Sequence, residues 1–144
     1  TAAVILLSYG YLAKRRERQD EFYLLLLFAT LGAMALVASD HFASFFVGLE
    51  TLSISLLGLI AYPRDRLRPV EAGIKYLILA GVSSAILLFG MALICARLGT
   101  VSFGQIAVLL RTGGETPPDI YWLTGLAMIV AGIGFKLSLV PFHL

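Results

Sequence analysis

Residues 42–62 read FASFFVGLETLSISLLGLIAY, an apolar run of 21 residues with one carboxylate, Glu50, in its interior. At ~1.5 Å per residue, a helix of that length crosses the ~30 Å hydrocarbon core of a bilayer. Eight residues separate Phe42 from Glu50, which sets the carboxylate roughly 12 Å in from that end. A glutamate side chain is too short to reach water from there, so it has to pair, take up a proton or line a hydrated cavity. Ionisable groups are costly in hydrocarbon, and inside a span they mark ion or proton paths. Ser53 and Ala43 share the helical face of Glu50, whereas Phe45, Phe46 and Leu49 supply bulk elsewhere.

Composition agrees with lipid as the solvent. Hydrophobic residues make up 59% of the chain and charged ones 14%, against about 25% charged in a soluble domain. Mean hydropathy is +0.91. A soluble enzyme is excluded on this ground. The net charge of +2, with Lys and Arg gathered in loops, gives no footprint for nucleic acid. A single cysteine, Cys95, leaves no internal disulfide and no cysteine-based metal or iron–sulfur site; no metal site is expected.

Outward from residues 42–62, the pattern predicts an all-α, polytopic transmembrane helix bundle in one domain. Partial spans are expected at 1–13 and 120–144, and complete spans at 22–38, 42–62 and 72–96. The chain starts without Met and stops inside an apolar stretch at Leu144, which predicts a piece of a longer protein. A short amphipathic surface helix is expected over about 102–111, opened by the S-x-x-Q spacing of a capping box at Ser102 and Gln105. The loops Lys14–Glu21 and Pro63–Pro69 carry most of the Lys and Arg. Alternating crossings put both on one side, which the positive-inside rule makes cytoplasmic.

Three ionisable residues fall inside spans: Glu50, Lys75 and Lys136. Glu71, at the mouth of its span, stands four residues before Lys75, the favoured order for a helical ion pair. Gly125, Gly132 and Lys136 follow one narrow stripe, along which another helix or a file of water can approach the backbone. Pro141 follows five residues later and is expected to break the last helix. Burial disfavours the charged forms of an ammonium and a carboxylate, while mutual attraction favours them, so a modest change of geometry can move a proton between such groups. Depth complicates a direct pair, although tilt, the helix break and the length of the lysine can narrow the gap. Lys136 is 16 residues from Ile120, or about 24 Å from the outer side, against roughly 12 Å for Glu50.

Three segments carry a resemblance: DEFYLLLLFATLGAMALVASDHFASFFVGLETLSISLLGL, RPVEAGIKYLILAGVSSAILLFGMAL and GIGFKLSLVPFHL. The chain resembles subunit N of the proton-translocating NADH–quinone oxidoreductases (respiratory complex I), a family of antiporter-like membrane subunits. The resemblance runs from Asp20 onward and weakens over Arg97–Asp119. It implies a fold of about fourteen helices in two inverted repeats, of which this chain supplies four to five, the last being half of a broken helix. It implies that Glu50 and Lys136 form the proton-relay pair. Lys75, Glu71 and His143 are implied as secondary positions on the proton path, and lysines of later helices are needed to complete it. No cofactor is expected in this chain: FMN, iron–sulfur clusters, NADH and quinone belong in or with other subunits. Implied partners are the neighbouring antiporter-like and small membrane subunits and the lipid of a bacterial cytoplasmic membrane, with quinone reduction elsewhere driving proton movement. Two other readings share the charges: a related member (subunit L or M, a cation/proton antiporter or a membrane-bound hydrogenase), or a structural scaffold with static ion pairs.

Overall fold

In the computed structural model, residues 1–12, 19–62, 67–112 and 119–139 are described. They form six helices: α1 (Ala2–Leu12), α2 (Gln19–Val37), α3 (Phe42–Ile60), α4 (Leu67–Leu98), α5 (Phe103–Arg111) and α6 (Ile120–Lys136). No strand occurs among the described residues. Among the described residues, three helices are long and apolar enough to cross a membrane, over Asp20–Val37, Phe42–Ile60 and Arg68–Leu98, and α6 is a shorter apolar helix.

Local chemistry sets the helix ends. His41 stands at the N-cap of α3 in an extended conformation, and its Nδ1 accepts the Ser44 amide at 3.0 Å. Asp119 does the same for α6, taking the Trp122 amide at 2.9 Å on Oδ1. Each cap satisfies one of the amides that a helix start leaves without an internal partner. Ser102 caps α5 differently from the expected box: its side chain makes no cap hydrogen bond, and Gln105 instead accepts from the Thr100 hydroxyl. The backbone explains this. An antiparallel bridge joins His41 to Ser102, with the Phe42 amide on the Val101 carbonyl and the Phe103 amide on that of Asp40, each at 2.9 Å. Phe103 then packs edge-on against Phe42 and Phe45, fastening α5 to the start of α3.

The spans pair as two antiparallel hairpins, α2 with α3 and α4 with α6, and α3 joins the hairpins along a narrower seam with α4. Both pairs close through glycine. A methyl group at Gly48 would lie 2.8 Å from the Leu36 amide nitrogen, and one at Gly32 2.6 Å from that of Leu52. Across the other pair, a methyl at Gly90 would meet the Gly125 carbonyl at 2.7 Å, and one at Gly132 would meet Leu87 Cβ at 2.8 Å. Small residues that let backbones touch are how helices associate where lipid offers no hydrophobic contrast. The glycine stripe of α6 is thus occupied by a helix, α4.

Leu49, Leu87 and Met91 form the buried core at the junction of α3, α4 and α6, with Phe45, Phe46 and Ile133 packed on it. About a third of the Arg68–Leu98 window is buried (33%), against 11% for Asp20–Val37, so α4 is the central helix. Leu24, Leu27, Phe28, Ile54, Ile78 and Val130 stand exposed, which fits a chain whose outer faces meet lipid or other helices.

Candidate functional site

The carboxylate and the ammonium meet. Lys136 Nζ lies 2.9 Å from Glu50 Oε1, across 86 residues of sequence, and also donates to Ser53 Oγ at 2.8 Å. Ser84 Oγ donates to the same Glu50 oxygen at 2.5 Å. Ser53 in turn donates to the Leu49 carbonyl at 2.8 Å. Side-chain exposure is 12% for Lys136 and 30% for Glu50, and Ser53 and Ser84 are buried. The site joins three helices: α3 gives Glu50 and Ser53, α4 gives Ser84, and α6 gives Lys136. An ion pair this enclosed is retained only when further hydrogen bonds satisfy it, and removing one partner from such a pair typically costs about 3–5 kcal/mol.

The depth difference closes through a stagger of the hairpins. Arg97 in the last turn of α4 pairs with Asp119 at the start of α6, 2.6 Å apart, so these two helices end level. From Leu98 the chain turns through Gly99, whose φ is +69°, and descends to Val101, beside which α3 begins. Ser84 lies 14 residues before Leu98 and Lys136 lies 16 after Ile120, about 21 and 24 Å along their helices. Glu50 needs only about 12 Å because α3 starts roughly two turns deeper.

Lys136 is the last residue of α6. Beyond it the Ser138 amide donates to Phe135 at 3.1 Å and the Leu139 amide to Gly134 at 2.9 Å, the paired 5→2 and 6→1 bonds of a Schellman motif. Ser138 occupies the left-handed region at φ 51°. The helix therefore ends before Pro141, which lies outside the described residues, and Lys136 stands in its last turn, where the helix dipole favours a cation.

A cavity of about 330 Å³ is lined by Lys136 together with Ser53, Ser83, Tyr76, Phe45 and Leu56. Ser83 donates to the Gly132 carbonyl at 3.2 Å, tying its α4 wall to α6. Glu71 and Lys75 form their own pair at 2.6 Å, with side chains 63% and 70% exposed; they sit on α4 beside Tyr76 rather than in the Glu50 cluster. His143 lies outside the described residues. Among these, no group of three or more His, Cys, Asp or Glu is placed to hold a metal ion. Sequence reasoning passed over Ser84 and Tyr76. The adjacent Ser83-Ser84 in an apolar span was the available signal, but which of the two faces Glu50 depends on the seam between α3 and α4.

Residues 39–144 match the transmembrane family described as NADH:quinone oxidoreductase/Mrp antiporter. The chain belongs to this family. Within it, the chain is 63% identical over 109 residues to the NADH-quinone oxidoreductase subunit N of Nitrosospira multiformis, an alignment covering 76% of this chain and 21% of that protein. It also superposes on a chain of respiratory complex I from Thermus thermophilus with a TM-score of 0.70 and 32% identity, covering 85% of this chain and 26% of that one. A chain of an archaeal membrane-bound sulfane sulfur reductase matches at a TM-score of 0.78 and 32% identity, with 90% and 26% covered. The chain thus spans between 21% and 28% of the length of these relatives. As a member of this family with several apolar spans, the chain is a multi-pass membrane protein.

Proposed function

We propose that this chain is part of a proton-translocating membrane subunit of an NADH–quinone oxidoreductase, the counterpart of subunit N. The observation that carries the reading is the direct contact of Lys136 with Glu50, two ionisable groups from separate spans, enclosed at membrane depth. Such a pair has two arrangements. Closed, the charges neutralise each other; opened, the lysine gives or takes a proton through water. The cavity against Lys136 supplies the room into which the ammonium can turn; its lining is mainly apolar, and the hydroxyls of Tyr76, Ser53 and Ser83 are the polar groups that would anchor water there. A proton entering there would reach Nζ, and the charge change would release or recapture Glu50. Glu71, Lys75 and His143 are secondary candidates on the route.

FMN, iron–sulfur clusters, NADH and quinone would be handled in or with other subunits, and the partners would be neighbouring antiporter-like and small membrane subunits. The setting would be a bacterial cytoplasmic membrane, with the Lys14–Glu21 and Pro63–Pro69 loops inside. Similarity to the sulfane sulfur reductase chain means that the fold alone does not choose the redox partner; the subunit N relative favours quinone reduction. The test is Glu50→Gln in the intact complex, followed by NADH-driven proton uptake in inside-out vesicles. Pumping is expected to fall at least tenfold with assembly retained, because the lysine loses its counter-charge. Unaltered pumping would support the scaffold reading instead.

A further inference from the structure

We infer that Ser84 is a positioning residue for the Glu50 carboxylate, holding it in place while Lys136 moves; this rests on the relay reading above. Two donors converge on Glu50 Oε1, the Lys136 ammonium at 2.9 Å and the Ser84 hydroxyl at 2.5 Å, and they come from different helices. Hydroxyls inside helices usually bond back to the carbonyl one turn earlier. Thr30, Thr51, Ser53 and Ser55 all do so here. Ser84 instead reaches across to α3.

The two serines have fixed and opposite polarity. Ser53 spends its proton on the Leu49 carbonyl, so it offers Lys136 only a lone pair. Both the ammonium and the neutral amine carry N–H bonds, so Ser53 holds the lysine in either state. Ser84 gives its proton to Glu50. When the ammonium withdraws, a half-buried carboxylate without Ser84 would lose its remaining side-chain donor at Oε1 and be left to whatever water reaches it. With Ser84 it keeps one. The pair can then open without Glu50 swinging from α4, and the lysine returns to an oxygen still in position. Among the described residues, the titratable groups facing this junction are Glu50 from α3, Lys136 from α6 and, lining the same cavity, Tyr76 from α4.

The experiment compares Ser84→Ala and Ser84→Thr in the intact complex, reading NADH-driven proton uptake across a pH series, with Glu50→Gln alongside. Ser84→Ala is expected to lower pumping about tenfold and displace its pH profile, and Ser84→Thr, which keeps the hydroxyl, is expected to restore both. A normal rate and profile in Ser84→Ala would overturn the role, as would a Ser84→Thr complex no better than the alanine variant. If Ser84→Ala does not assemble, Ser84→Cys, close in volume and a weak donor, is read by the same criteria; failure of that variant too would make the hydroxyl a folding element and overturn the role. Normal pumping in Glu50→Gln would remove the relay itself, whereas impaired Glu50→Gln with normal Ser84→Ala removes only the part given to Ser84.

Discussion

Ser138 holds a left-handed φ of 51°, a conformation that brings Cβ against the backbone and costs an L-residue roughly 1–2 kcal/mol. Strain of this kind persists where surrounding bonds impose it, and here the Phe135 and Gly134 carbonyls accept the two amides that end α6. The result is a lysine in the last turn of a helix, where the dipole favours a cation. Ser138→Gly is expected to raise thermal stability by about 1 kcal/mol or a little less, since glycine takes this φ freely. Ser138→Val is expected to lower it, and differential scanning of the purified complex measures both. Glu50 and Lys136 were legible as candidates because a charge inside an apolar run is costly wherever it stands. Ser84 was not legible, because a serine is unremarkable until a neighbour's carboxylate is placed 2.5 Å from it.

At the scale of the element, α4 and α6 meet where side chains are missing. Gly132 abuts Leu87 and Gly125 abuts Gly90, whereas Gly81 has nothing within 4 Å of where its Cβ would lie. Gly132→Ala is therefore expected to cost about 1–3 kcal/mol through overpacking and to push Lys136 off Glu50. Gly81→Ala is expected to change stability by less than about 1 kcal/mol. Thermal stability and assembly of the two variants check the contrast. The sequence left open whether the Gly125–Gly132 stripe takes a helix or a water file, because both need small residues. Packing decides for α4, and the open volume lies instead where Lys136, Tyr76 and Ser83 line one cavity.

Across the whole molecule, the hairpins α2/α3 and α4/α6 are staggered, and that offset brings residues counted at about 12 and 24 Å from their own helix starts to one level. The His41–Ser102 bridge and the Arg97–Asp119 pair lie at the same end of the bundle. The alternation of spans in the sequence predicts the basic loops, most of whose residues lie outside the described ones, at the opposite end. In a Cys95→Ala background, a cysteine replacing Arg64 is expected to react with a membrane-impermeant thiol reagent from the cytoplasmic side, and one replacing Gln105 from the outer side. The reverse pattern would invert the orientation.

The sequence by itself determined that this chain lives in a membrane as a helix bundle, because apolar runs of spanning length have no other stable solvent. It also determined which residues are expensive there, since the cost of burying a charge depends on the residue and its run rather than on its neighbours. Tertiary structure alone decided that Glu50 meets Lys136, that Ser84 and Ser53 hold them, and that α6 stops at the lysine. Those facts depend on how far one hairpin slides along another. That offset is set by glycine contacts and a three-residue descent after Leu98, neither of which shows in the periodicity of any single span.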